Sequence, residues 1–299
     1  VEVGDSQVLK QLHGIVFDDV LGSTGKVRFQ DNNNDYAIAH KIDDGLVSRK
    51  DAAIAINLIT PEHSNYGNDA VLVGNNMGGV ELMAILPDQD SLLNQLRSYL
   101  KTDLYIKKNS GSDDELLESI LAARGRQNTE RRSALEGIVK EQLRTAQLIV
   151  NGQTLSVGEG EPKTRFGKAY QELIRSAYPN LKMIRGVFNE STISKVIEDQ
   201  DDLLEGSAIQ LSEAEDEVLT EVFRNQNSGE RLSAESLVRR FEQRPYGWSQ
   251  WATLTFIARL YRLNKLELRE KELLSDREVI EALCNSRKLG GVTIRKQEA

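Results

Sequence analysis

Cysteine is almost absent from this sequence: its 299 residues hold one, Cys284. A lone thiol excludes an internal disulfide and a cysteine-ligated zinc. With Ile280, Leu283 and Leu289 around it in a helical pattern, it reads as a small buried hydrophobe in a reducing, cytoplasmic compartment. Histidine is nearly as scarce. His13, His40 and His63 are scattered, with no His-Glu-x-x-His spacing, so a zinc hydrolase has nothing to stand on. No apolar run approaches the roughly 20 residues that span a bilayer, and no signal peptide is visible. An initiator Met is missing before VEVGDSQVLK, and the end IRKQEA is polar, as expected of a segment of a longer protein. Net positive charge is lacking too: the formal charge of −8 excludes a chain that coats nucleic acid everywhere, leaving only local cationic patches.

Phosphate-binding loops fail on spacing. In Gly22-Ser-Thr-Gly-Lys26, Val20 stands where a P-loop needs its first Gly and Val27 where it needs Ser or Thr, so the stretch reads as a turn. Gly74-Asn-Asn-Met-Gly-Gly79 does not have the dinucleotide-binding spacing either. Asp31, Asn33 and Asp35 alternate like calcium-loop ligands, but Tyr36 replaces the required Gly and Ile42 the bidentate Glu; a hairpin tip fits better. Asp199, Asp201 and Asp202 read as a solvated acidic loop. No Ser or Cys lies in a nucleophile elbow or beside a recognisable base. Catalytic, cofactor-binding and metal-ligating residues are therefore not assigned.

What is present is pattern. From Val8 to Pro87 the apolar residues suggest mostly strands: Lys26 to Phe29 and Tyr36 to Ile42 as a hairpin, then Ala52 to Ile59, Ala70 to Val73 and Val80 to Leu86. Beyond Pro87 the period becomes helical. One helix starts near Asp88; a second runs from Asp113 to about Leu148, opened by a Ser112–Glu115 capping box. Its charged middle, Arg124 to Arg132, is either a solvated stretch or a hinge at Gly125. Asn151-Gly152 between apolar runs predicts a short hairpin, and helices follow over Thr164 to Ala177 and Asn189 to Ile197. Glu198 to Glu205 reads as an acidic linker. Capping boxes at Ser212–Glu215 and Ser275–Glu278 open two more helices.

The most strongly specified stretch is Ser233 to Arg269. A helix over Ala234 to Gln243 stops at Pro245, Tyr246 and Gly247 turn, and a helix from Ser249 to Leu263 is apolar on more than one side, as expected at the centre of a domain. Leu266 and Leu268 alternate as a strand, and Val292 to Arg295 supplies another. This is a winged-helix-like order. The fold class expected is α+β, predominantly helical: a β-rich N-terminal module (1–87), a helical connector with a long helix and short hairpin (88–205), and a winged-helix-like module (206–299).

Basic residues are the remaining candidates for contact. Arg124, Arg126, Arg131 and Arg132 would be phosphate ligands, trans-acting fingers toward a nucleotide on another subunit, or plain helix surface. Arg239 and Arg240 precede the turn, and Arg259 and Arg262 follow it; Arg287, Lys288, Arg295 and Lys296 sit near the wing. A DNA-reading winged helix would put its second helix in the major groove, but this one leaves few side chains free for base edges. A packing or subunit-contact module fits it better than a DNA reader.

Several strings then resemble one family. Leu86-Pro-Asp, Leu96-Arg-Ser-Tyr-Leu-Lys-Thr102, Tyr105-Ile106, Ala123-Arg-Gly-Arg-Gln-Asn128, Glu130-Arg-Arg132, Val150-Asn-Gly152 and Pro245-Tyr-Gly-Trp248 are similar to the BREX P-loop proteins known as BrxC and PglY, from about residue 45 onward. The resemblance implies a fragment of a large bacterial phage-defence protein whose AAA-type ATPase region, with its Walker A loop, ATP and Mg²⁺, lies outside this stretch. It also implies partners among the other BREX components, such as the methyltransferase and the alkaline-phosphatase-like protein. DNA is a further candidate, with an oligomer of the full-length protein and no membrane. The expected role is a non-catalytic interaction or scaffolding segment; the alternative is a DNA-binding winged-helix module.

Overall fold

The computed structural model describes residues 2–23, 25–48, 51–88, 92–111, 115–198, 210–229 and 231–297. It divides into two compact units, one of Val1–Phe29 and Asp35–Ala177, the other of Gln30–Asn34 and Tyr178–Ala299. The Ser112 cap, most of the acidic stretch after Glu198 and the expected 205/206 boundary lie outside the described residues.

The first unit is built on a mixed sheet. Its strands are β1 (Lys26–Arg28), β2 (Asp35–Ile42), β3 (Gly45–Ser48), β4 (Ile54–Ile59), β5 (Glu81–Ile85), β6 (Gln147–Val150) and β7 (Gln153–Thr154). They follow the path β1-β2-β4-β5-β6-β7, with β3 on β2. β2, β4 and β5 run parallel; β6 returns antiparallel to β5. Every residue of β4 is buried, which is why it reads as an unbroken apolar run rather than an alternating one. Its one polar member, Asn57, is fully buried and satisfied: its amide donates to Asp44 Oδ1 (2.7 Å) and Glu81 Oε1 (3.1 Å), and its carbonyl accepts the Asp44 N–H.

Around the sheet lie α1 (Asp5–His13), α2 (Asp69–Asn75), α3 (Leu92–Asn109), α4 (Glu115–Thr145) and α5 (Pro162–Ala177). Two expectations change here. Residues 5–20 are helical, α1 passing into a π-helical stretch (Gly14–Val20), because Val8, Leu12, Ile15 and Val16 repeat at helical spacing and are all buried. Ala70 to Val73 lies in α2 rather than in a strand: the Asn68 side chain caps the Val71 N–H, and Leu72 joins Ile59, Met83, Ile85 and Ile149 in the core.

β6 pairs with β5, so α3 and α4 lie in sequence between two neighbouring strands of the sheet. α4 runs unbroken through Gly125. Its polar middle packs by hydrogen bonds on one side: the buried Asn128 amide donates to the Tyr99 carbonyl (3.2 Å) and Arg131 to Thr102 Oγ1 (3.3 Å). At its C-terminus the orphan carbonyls converge on Arg165, which donates to Leu143 (2.8 Å), Arg144 (2.6 Å) and Ala146 (3.0 Å), and to the Gly158 carbonyl (2.9 Å).

The second unit contains a 3₁₀ turn (Pro179–Met183), α6 (Glu190–Glu198), α7 (Glu213–Ser228), α8 (Ala234–Glu242), α9 (Gln250–Arg262), β8 (Leu266–Arg269), α10 (Asp276–Leu283) and β9 (Thr293–Lys296). β8 and β9 pair antiparallel, and a bridge from Ser233 to Thr293 adds a third edge. Ser212, Ser233 and Ser249 cap α7, α8 and α9 through their side chains. In the turn between α8 and α9 the Arg244–Pro245 peptide is cis, and Trp248, 1% exposed, stacks on Phe241 at 4.6 Å and donates to the Asn180 carbonyl. Gly247 adopts φ +64, where only a residue without Cβ is unstrained. Cys284 closes α10 and is half-buried rather than sealed in the core. The architecture is α+β with a mixed N-terminal sheet and a winged-helix C-terminal unit.

Candidate functional site

α9 occupies the place of the second helix of a helix-turn-helix, and it is enclosed. Ala252 to Ala258 and Leu260 are buried, with α7 and α8 on two sides and α6 against a third. The α6 contact is specific: Thr192 Oγ1 meets Thr255 Oγ1 at 2.8 Å, and the Phe188 and Phe256 rings meet edge to face at 5.4 Å. Ile193 and Ile197 of α6 are buried beneath it. A helix that enters a major groove must leave base-reading side chains free at its exposed face. α6 takes that face.

The candidate arginines fall into different settings and do not form one site. Arg259 is ion-paired at 2.9 Å with Glu215, itself 1% exposed. Arg262 lies 3.9 Å from Asp276. Arg240 stacks over the Tyr246 ring at 5.1 Å and reaches Glu221, while Arg239 pairs with Glu235 along α8. On α4, Arg132 pairs with Asp19 and Glu136, Arg131 bonds α3, Arg124 bonds Gln127, and Arg126 points outward exposed.

A groove of about 680 Å³ opens where α6, the 3₁₀ turn and the start of α7 meet α9. Met183, Val187, Phe188, Val196 and Phe256 make its apolar lining. Lys182, Arg185 and Lys195 line it as exposed cations with no ion pair among the described residues, against the single carboxylate of Glu213. The sequence reading missed these three, because nothing in the local pattern of α6 says which helix it will cover.

In the first unit the fold gathers what looked scattered. His13 Nε2 lies 3.0 Å from His40 Nδ1, Ser23 Oγ lies 3.2 Å from His40 Nε2, and Phe17 stacks on His40 at 3.9 Å. Burial lowers both imidazoles, His40 to about 4. His63 Nδ1 accepts the Asn65 N–H, so its Nε2 carries the proton donated to Asp44 at 2.9 Å. That bond is the main cause of a lowered Asp44 pKa. Asp43, raised mainly by burial, accepts from Thr60 Oγ1 and the Thr60 N–H. These are closed networks that tie loops to strand ends.

No group of three or more metal-ligating side chains occurs among the described residues. Lys26 opens β1, whereas a phosphate-binding loop leads into a helix N-terminus. No helix among the described residues is long and apolar enough to cross a membrane.

No solved structure matches the chain. Two family models do. One, described as the fourth domain of the BREX ATP-binding protein BrxC with a six-stranded β-sheet, matches residues 1–173; the six strands on the sheet's continuous path agree with it. The other, described as the BrxC winged helix-turn-helix domain, matches residues 180–298. Sheet unit, winged helix and the motifs of the connecting helices thus agree: the chain belongs to the BrxC family of BREX ATP-binding proteins.

Proposed function

We propose that this segment works without chemistry of its own, as an interaction and scaffolding part of a bacteriophage-exclusion protein. In this reading it holds other components of the defence complex, such as the methyltransferase or the alkaline-phosphatase-like protein, in register with an ATPase region elsewhere in the full-length protein. ATP and Mg²⁺ belong to that region, and the setting is the cytoplasm. The observation that carries the reading is the enclosure of α9 by α6, α7 and α8. A winged helix whose second helix is covered retains its outer surfaces for proteins and gives up its means of reading bases.

The test is retention of separately purified BREX components on the immobilised chain, with ATP turnover and duplex binding measured in parallel. Saturable retention of one component, without turnover, is the expected result. Turnover by this chain would overturn it. Tight duplex binding that falls steeply with salt, and that is lost on charge reversal at the exposed Arg287, Lys288 and Arg295, would instead favour the DNA-binding winged helix.

A further inference from the structure

The groove beside α6 combines an apolar floor with three cations that have no ion pair among the described residues. Val187, 58% exposed, continues the apolar lining of Met183, Phe188 and Val196 out to the rim. Lys182, Arg185 and Lys195 surround that floor in a chain whose formal charge is −8. In an acidic protein, three cations grouped on one groove make it a local attractor for acidic ligands, which the negative charge of the rest of the chain repels.

We infer that this groove docks a short acidic amphipathic peptide segment of a partner protein, its apolar side chains on Val187, Phe188 and Val196 and its carboxylates on Lys182, Arg185 and Lys195. The inference rests on the interaction role proposed above and gives that role a site. A peptide suits the floor better than a nucleic acid does. A phosphodiester backbone has no apolar group to bury there, and base stacking needs a free aromatic face. Phe256 has none, being 8% exposed and held between Phe188 and Trp248, which leaves the half-buried Phe188 as the other aromatic of the lining. Peptide grooves of this size gain affinity from a few buried apolar anchors and gain orientation from the charged rim.

The experiment is a phage-display selection of random peptides on the whole chain, followed by fluorescence anisotropy with the enriched peptides and with a labelled DNA duplex. Enrichment of peptides carrying Asp or Glu interleaved with large apolar residues is expected. Their affinity should fall about tenfold or more in Arg185→Glu/Lys195→Glu, and as far in Val187→Asp, while the melting temperature stays put because these side chains are exposed. Peptides without acidic bias, or affinities untouched by either variant, would overturn the groove assignment, as would a duplex that competes for the same residues. Exchange of residues 199–209 for a glycine-serine stretch is expected to leave affinity unchanged; a tenfold gain would mean that the chain's own carboxylates compete for the groove, against a partner peptide. If BREX components are retained equally by wild type and by both variants, the groove assignment fails and the scaffold role stands. If wild type retains none, the scaffold role itself fails.

Discussion

Arg259 Nε lies 2.9 Å from Glu215 Oε1, and the two ends of this pair live in different media: the arginine is 44% exposed, the glutamate 1%. Glu215 also accepts the Ser212 N–H at 2.7 Å, as the far half of the capping box that starts α7. One carboxylate therefore fixes the start of one helix and the end of another. Replacing Arg259 by Leu strands a buried charge. The cost should be about 2 kcal/mol, below the range for fully buried pairs because Arg259 is half in water and the Ser212 bond survives. Arg239→Ala is the contrast. Its ion pair with Glu235 is a surface i,i+4 contact, with Arg239 71% exposed, and its loss should cost under about 0.5 kcal/mol. Equal losses in urea melts would show that Arg259 has no internal role.

Gly247 cannot be exchanged cheaply. A Cβ on it would sit 2.5 Å from Cδ1 of Tyr178, in a backbone conformation of φ +64 that already disfavours other residues. Tyr178 is buried and precedes the 3₁₀ turn whose Asn180 carbonyl accepts the Trp248 indole N–H, so it has no open side to retreat to. Gly247→Ala should destabilise by about 2 kcal/mol or more, as the sum of strain and overpacking. Trp248 fluorescence during denaturation reads this directly, and an unchanged midpoint would contradict the packing described.

The turn around Gly247 was legible because its signals are local: Pro245 ends one helix, and Tyr246 and Gly247 turn before the next. The covering of α9 by α6 was not, since Thr192 and Thr255 meet across 63 residues and neither side chain looks unusual in its own helix. The long helix shows the same limit. Asn128 breaks the apolar stripe of α4, which made the middle look solvated, yet it is buried because its amide serves the Tyr99 carbonyl of α3. Hydrophobic periodicity registers burial by apolar contact and is silent on burial by hydrogen bonding. The histidines hid for a related reason: His13, at the end of α1, and His40, in β2, are brought together by the fold and not by a spacing.

Arg165 should matter to stability more than any arginine on the outer surface of α4. Its guanidinium supplies donors to three carbonyls at the end of α4 and to one in the loop before α5. Arg165→Met keeps the aliphatic stem and removes every donor, leaving partly buried carbonyls unpaired, at a cost of about 2 kcal/mol. Arg165→Lys retains the charge, but one ammonium cannot reach all four oxygens in a planar fork, so rescue should be partial. Hydrogen exchange at Gln147 to Val150 provides the local check: faster exchange in Arg165→Met than in Arg165→Lys is expected, and no change in either would remove the capping role.

Acid should loosen the first unit before it reaches most carboxylates. His40 is 2% exposed, and burial with the repulsion of His13 brings its pKa to about 4, against 6.5 for the free side chain. His13 is lowered as well, by burial against the opposing pull of Asp18. Between these values the unfolded chain binds a proton that the folded chain refuses, so stability is complete above pH 6.5 and declines as the pH falls toward 4. The His40 share is on the order of 3 kcal/mol if the folded state holds its neutral imidazole throughout. Protonating both rings would also remove the acceptor from the His13–His40 hydrogen bond, leaving two donors face to face at 3.0 Å. Melting temperatures recorded from pH 7 to 4.5 should fall steadily, and the fall should be shallower in His40→Gln. A flat profile in the wild-type chain, or an imidazole titrating near 6.5 by NMR while the fold persists, would show that the pair is reached by water.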